Sequence, residues 1–244
     1  MPRFFIKSED ISESVAVIRG QDAFHIARSL RMAVGDSITV SDGEGVDYNV
    51  KLTKIRDEEC LGDILSSHAS LVESPALISL YVAYPKGDKL ETVIQKAVEL
   101  GANRIIPFES SRCIKRPKAE KCDKLLLRLN RIAEEAAKQC GRARLPSVCA
   151  PMDFKSAIAE AAKSELSLFC YENEGGYSIK DAIKKSVKPK TVSVTVGAEG
   201  GFSPDEADYA KEAGLTSVTL GPRILRCETA PLYALAALSY EIEL

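Results

Sequence analysis

The chain has 244 residues, 45% of them hydrophobic and 28% charged, with a net charge of −2. That composition suits one large or two modest globular domains, and no apolar run approaches the ~20 residues of a membrane-spanning helix. Seven cysteines without a C-x-x-C pair, and only His25 and His68 beside them, leave no disulfide framework and no metal-ligand spacing. The small net charge hides a basic centre. Residues 86–144 carry 15 Lys/Arg against 8 Asp/Glu, whereas 1–70 and 145–244 are each net acidic. A basic block in an acidic protein is the pattern of a polyanion-facing surface, and solvated helix faces are the other reading of the same charges. The opening MPRFFIKSEDISES lacks the long apolar stretch of a secretory signal, so a cytoplasmic location is expected.

Taken in order, the first ~70 residues read as β-rich. The runs ISESVAVI, DSITVSDG and VDYNVKLTKI alternate in polarity and are broken by Gly, Asp and Asn, which predicts a barrel or strongly bent sheet. Between them DAFHIARSLRM fits a short helix whose polar face would carry Arg28 and Arg31 together, three residues apart. Asp42-Gly43-Glu44-Gly45 predicts a tight turn. Ser66–Pro75 is polar and ends in proline, the best candidate for a linker.

From Ala76 onward strands alternate with helices, the pattern of a parallel sheet covered by helices. ALISLYVAYP predicts a strand. Asp88 with Glu91 three residues on predicts a capping box, leading a helix with Leu90, Val93, Ile94, Ala97 and Val98 on one buried face. NRIIPF predicts a strand whose pairing ends at Pro107. A long helix is expected from about Lys121 to Cys140, with Leu125, Leu129, Ile132, Ala133 and Ala136 inward and Arg128, Arg131 and Lys138 off that face. LSLFCYE and TVSVTV predict strands around a helix at Ser178–Lys185, and Ser203-Pro204-Asp205-Glu206 predicts a capped helix start. The last helix, from Glu228-Thr229, is apolar around much of its circumference and is expected to be buried in the domain or in a dimer interface.

Two glycine-bearing loops stand out, VGAEGGFSPDE and LGPRILRCETAP, each after a β-rich run and before a helix. In an open α/β sheet ligands sit where loops leave the carboxyl ends of strands, so the two loops suggest one shared small-molecule site. Neither is a dinucleotide fingerprint or a phosphate-cradling P-loop. Three glycines allow close backbone approach to a bulky ligand. In the second loop Arg223 and Arg226 flank Ile224-Leu225, an apolar pair expected to lie under a ligand or a neighbouring segment.

GAEGGFSPDE and LGPRILRCETA, with PRFFI, HIARSLRMAVGD, KGDKLETVIQKAVELG and AEEAAKQCGRARLP in the same order, resemble the family of ribosomal RNA small-subunit methyltransferase E. The resemblance spans nearly the whole chain. It implies an α/β fold of the SPOUT class over 75–244, with a C-terminal trefoil knot that binds S-adenosylmethionine, and a PUA-like RNA-binding β-barrel over 1–70. It implies methylation of N3 of a uridine in 16S rRNA of the small ribosomal subunit, by a homodimer without metal. A related enzyme acting on another rRNA or tRNA site, and a non-catalytic assembly factor, are the alternatives.

By the same match the cofactor would be held by Gly197, Glu199, Gly200, Gly201, Leu220, Gly221, Ile224, Leu225, Arg226, Thr229 and Ala230. Arg226 and then Arg142 are the candidates to stabilise the uridine anion, with Glu228, Glu199 or water taking its proton. Arg3, Arg28, Arg31 and Arg142 are the candidates for RNA contact. Ala198 stands where the family has proline and Cys227 where threonine is common. If the second loop threads a knot, substitutions over Ile224–Glu228 are expected to damage stability and catalysis together.

Overall fold

The computed structural model describes residues 1–113, 122–172 and 175–244. Lys115, Arg116, Lys118 and Lys121, which belong to the basic block and to the expected start of the long helix, lie outside the described residues. Contacts divide the chain into two compact units, Met1–Glu73 with Ala137–Leu145, and Ser74–Ala136 with Pro146–Leu244.

In the first unit the strands are β1 (Arg3–Phe5), β2 (Val15–Arg19), β3 (Ser37–Ser41), β4 (Val46–Ile55) and β5 (Glu59–Ala69), with α1 (Gly20–Phe24) between β2 and β3. Their order in the sheet is β1-β3-β4-β5-β2. β1 lies parallel to β3, and the other neighbours are antiparallel. Alternation decides what is buried: in β4, Val50 and Leu52 point inward while Lys51 and Thr53 are exposed. The inward set, with Phe4, Ile18, Ile26, Ile38, Val40 and Cys60, forms the core. The predicted turn is held by the Asp42 carboxylate, which accepts from the N–H groups of Glu44, Gly45 and Val46 at 2.8–3.1 Å.

Two expectations fail here. α1 continues as a π turn only over His25–Ser29, and Arg31 adopts φ +51° beyond it, so Arg28 and Arg31 do not share a helical face. Ser66–Ala69 is strand, not linker: the ten-residue β4 supplies partners along its length, pairing Asn49 with Ser66 and Val46 with Ala69.

The second unit contains β6 (Leu77–Ala83), α2 (Lys89–Glu99), β7 (Ala102–Glu109), α3 (Cys122–Cys140, whose last residues belong to the first unit), β8 (Ser147–Val148) and β9 (Met152–Asp153). It continues with α4 (Phe154–Ala161), β10 (Leu166–Cys170), α5 (Ile179–Lys185), β11 (Thr191–Val196), α6 (Pro204–Glu212), β12 (Thr216–Val218) and α7 (Thr229–Glu243). The sheet is parallel in the order β12-β10-β11-β6-β7-β8, with β9 also on β7. Every residue of β10 is buried, as expected for a strand covered on both faces. Its Ser167 and Ser193 of β11 satisfy their hydroxyls by donating to the Ala161 carbonyl at the end of α4, at 2.9 and 2.8 Å.

The apolar face read for α2 is buried in full. The capping box at its start is absent: Asp88 sits at φ −94°, ψ 9° with no side-chain cap, away from the extended backbone that such a cap needs, and Glu91 pairs with Arg128. Pro107 does not end its strand. It pairs with Val82 and falls opposite the break between β8 and β9, where a missing donor is tolerated. α7 buries Ala230, Ala234, Leu235 and Leu238 but leaves Tyr233, Ala236 and Tyr240 exposed, so it is not buried all round within the unit.

Candidate active site

The first glycine loop leaves β11 at Val196 and is closed by a tight turn in which the Gly201 N–H donates to the Ala198 carbonyl at 2.9 Å. Gly201 has φ +62°, where an L side chain is strained, and a Cβ on Gly197 would sit 3.1 Å from the backbone of Gly201. The next residue, Phe202, is buried. It lies parallel to Phe108 at 6.3 Å and reaches Phe169 at 4.2 Å, which anchors the loop's exit in the core. The predicted cap of α6 is complete: the Ser203 hydroxyl accepts from the Glu206 N–H and the Glu206 carboxylate from the Ser203 N–H. The other Glu206 oxygen accepts from the Ser111 N–H at 2.7 Å, and Arg112 donates to the Gly200 carbonyl at 2.7 Å. The turn after β7 thereby braces the loop from outside.

The second loop leaves β12 at Thr219 and re-enters structure at α7, where the Thr229 and Ala230 N–H groups both donate to the Arg226 carbonyl. Between the two loops lies a cavity of about 560 Å³, within the ~300–1,000 Å³ usual for small-molecule sites. It opens at the carboxyl ends of the adjacent strands β12, β10 and β11, the position where open parallel sheets bind ligands.

Of the residues expected to hold a cofactor, Gly197, Glu199, Gly200 and Gly201 line the cavity from the first loop. Leu220, Gly221, Ile224, Leu225 and Arg226 line it from the second, and Ala230 from α7. Thr229 is not in the lining; its N–H closes the loop onto the Arg226 carbonyl at 2.8 Å. Ile224 is 89% exposed, so no described neighbouring segment buries it. The expectation that substitutions over Ile224–Glu228 damage stability and catalysis together is corrected in its stability half: within that run only Cys227 is buried.

A group that the sequence did not single out completes the site. Lys89, at the start of α2, lies 3.0 Å from Glu199 and 3.2 Å from Glu228. Hydrogen bonding to Glu199 and then to Glu228 raises its pKa, so it stays an ammonium. Partial burial pushes the Glu199 carboxyl up, but hydrogen bonds from the backbone and from Lys89 outweigh it and hold the group below the ordinary 4.5. Glu228 is also held down, first by the Cys227 thiol, which donates to it at 3.1 Å, and further by its own backbone and Lys89. Burial and that bond to Glu228 push the Cys227 thiol up to about 12, so it is an inert donor. Nothing in local sequence marks Lys89, because its partners are more than a hundred residues away.

The candidate arginines separate. Arg226 lines the cavity with its side chain 84% exposed and its guanidinium 4.0 Å from Glu228. Arg142 does not line it. It belongs to the first unit, where it is buried against Glu73. Arg3 is bound to Asp47, to Ser41 and to the Arg142 carbonyl. Arg28 makes a two-pronged pair with Asp57. Arg31 is exposed, with no ion pair among the described residues.

The family model of the RNA methyltransferase domain matches residues 72–239, and that of the RNA methyltransferase PUA domain matches residues 18–65. The ribosomal RNA small subunit methyltransferase E of Bacillus subtilis is 34% identical over all of this chain and 98% of its own length. The chain belongs to the ribosomal RNA small subunit methyltransferase E family. The crystal structure of the Neisseria gonorrhoeae member bound to S-adenosylmethionine superposes with a TM-score of 0.86 at 32% identity, covering 98% of this chain and 97% of that one. A Legionella pneumophila methyltransferase, also in complex with S-adenosylmethionine, gives 0.84 at 28% identity, over 98% and 96%. The two-part architecture, a PUA-like unit and a parallel α/β unit with its glycine loops, is thus the fold of the methyltransferase E family. No helix among the described residues is long and apolar enough to cross a membrane, and no metal-binding cluster occurs among them.

Proposed function

We propose that this protein methylates N3 of a uridine in 16S rRNA with S-adenosylmethionine as donor. The observation that carries the reading is the cavity at the carboxyl ends of β10, β11 and β12, walled by both glycine loops, in a chain of this family. The cavity's chemistry fits that cofactor. Close-approach glycines offer backbone to a flat ring, and Ile224 offers uncovered apolar surface.

When bound, S-adenosylmethionine supplies an electrophilic methyl carbon for in-line displacement. The protein's part is alignment and charge. Gly197, Gly200 and Gly201 would admit the ligand, and Leu225 and Ile224 would pack on it and exclude water. N3 of uridine is a poor nucleophile until its proton leaves. The Arg226 guanidinium, exposed at the cavity, stabilises the charge that then develops on the base oxygens, and being always protonated it is not the base. Glu199 and Glu228 are weak proton acceptors because Lys89 and their hydrogen bonds already stabilise their ionised forms. Glu228, Glu199 or solvent receives the N3 proton, and the two carboxylates also anchor Lys89.

The chain from Ser74 onward, apart from Ala137–Leu145, is the methyltransferase, whose second loop is part of the knot, and the first unit, Met1–Glu73 with Ala137–Leu145, is the RNA-binding module. Arg31 is its best-placed cation for phosphate. Arg3 and Arg142 shape the module from within. A second copy covers Tyr233, Ala236 and Tyr240 of α7, and the enzyme works in the cytoplasm on the small ribosomal subunit. Mass mapping of 16S rRNA from cells lacking the gene tests the reading. One N3-methyluridine should be missing and should return with the wild-type gene. An unchanged 16S map, with a methyl group lost from a tRNA or from another rRNA, would overturn the substrate.

A further inference from the structure

We propose that Lys89 is a positioning residue for the methyl donor, a cationic pin that joins the two glycine loops and sets the width of the cavity between them. The proposal deepens the reading of that cavity as the cofactor site and rests on it. Its basis is geometric. Glu199 sits in the first loop, and Cys227 and Glu228 close the second. The Lys89 ammonium is 3.0 Å from Glu199 Oε1, 3.2 Å from Glu228 Oε2 and 3.6 Å from Cys227 Sγ. Three donors on one nitrogen thus meet three acceptors drawn from both loops.

Two like-charged carboxylates drawn to one place repel each other. With an ammonium between them both carboxylates are drawn to one cation, so Lys89 ties the two loops together. The stretch before α2 adds a second tie, because the Lys86 N–H donates to the same Glu199 oxygen at 3.1 Å. The Lys89 stem is fixed by the first turn of α2, whose apolar face is buried. The pin is therefore mounted on a rigid element, and the loops are the parts that yield. A cavity held at its working width before the ligand arrives spends less binding energy on ordering. Lys89 does no proton chemistry, since both carboxylates favour its charged form.

The test compares wild type with Lys89→Met, Lys89→Arg, Glu199→Gln and the Lys89→Met/Glu199→Gln double variant. S-adenosylmethionine is titrated calorimetrically, and KM and kcat are measured with saturating rRNA. Lys89→Met should weaken cofactor binding by about tenfold or more, raise KM for the cofactor by a similar factor and leave kcat within a few-fold. Lys89→Arg, which keeps the charge, should recover most of the affinity, and the double variant should bind at least as well as Lys89→Met alone, because the two residues share one interaction and Glu199→Gln removes the carboxylate repulsion left without Lys89. Lys89→Met affinity within about twofold of wild type, or losses that simply add in the double variant, would overturn the proposal. Should Lys89→Met not fold, Glu199→Gln and Glu228→Gln decide, provided each still folds: each must weaken binding, and wild-type affinity in either overturns the pin. Wild-type protein that binds no S-adenosylmethionine would overturn the cofactor reading itself, an outcome distinct from failure of the variants alone.

Discussion

Replacing Glu73 by alanine tests whether Arg142 builds the first unit or serves the reaction directly. The Glu73 carboxylate is 9% exposed and holds the Arg142 guanidinium, 5% exposed, at 2.9 Å. Its other oxygen accepts from the Ala143 and Arg144 N–H groups, both at 2.9 Å. Truncation leaves a buried guanidinium without this carboxylate, a change that costs ~3–5 kcal/mol. The two abandoned N–H groups would each add ~1–3 kcal/mol, but water entering the vacated space recovers part of that, so ~3–5 kcal/mol is the expected total. For a unit of about 80 residues, where each kcal/mol moves the midpoint by ~4–8 °C, the melting transition should fall by at least ~12 °C. Circular dichroism melts would read this as an early transition belonging to the first unit. Glu73→Gln keeps an acceptor for the N–H groups while removing the charge, and should fall in between. A drop under ~2 °C in both variants would refute the reasoning that Glu73 and Arg142 hold the unit together.

Three further outcomes follow from the site. Arg226→Ala should abolish methylation while leaving cofactor affinity within a few-fold and melting temperature unchanged, because the side chain is exposed; wild-type turnover would remove it from the mechanism. Gly197→Ala should weaken S-adenosylmethionine binding by about tenfold, or ~1.4 kcal/mol, since its Cβ would press on the Gly201 backbone rather than on a flexible side chain; calorimetry showing wild-type affinity would mean that the loop yields freely. The carboxyls of Glu199 and Glu228 are both held below their ordinary 4.5, so their contribution to stability is present above that pH and is lost as pH falls through the lowered folded values. Melts from pH 7 down to about pH 3 should therefore fall more steeply for wild type than for the Glu199→Gln/Glu228→Gln double variant, and parallel curves would contradict the assigned shifts.

Much of this protein is written in local pattern. Alternation in VDYNVKLTKI placed a strand at Val46–Ile55, and the helical period of Leu90–Val98 named the buried face of α2. Ser203 with Glu206 announced a capped helix that the structure realises bond for bond. These features rest on contacts within a few residues, so neighbours in the chain suffice to define them. The glycine loops were legible for a related reason: each marks the carboxyl end of a strand, and ten of the eleven residues expected in the cofactor site do line one cavity.

What failed was decided by residues distant in sequence. Asp88 and Glu91 have the spacing of a capping box, yet Glu91 is taken by Arg128. Pro107 should end a strand but meets a gap between two short partners. Arg142 looked like a reactive cation until Glu73, nearly seventy residues earlier, claimed it. Lys89 drew no notice in KGDK, because its role exists only once Glu199 and Glu228 are folded around it. Local hydrogen bonding and hydrophobic period are properties of a short stretch of chain, which sequence alone determines. Which charge neutralises which depends on through-space distances of a few ångströms, and only the tertiary structure decides those.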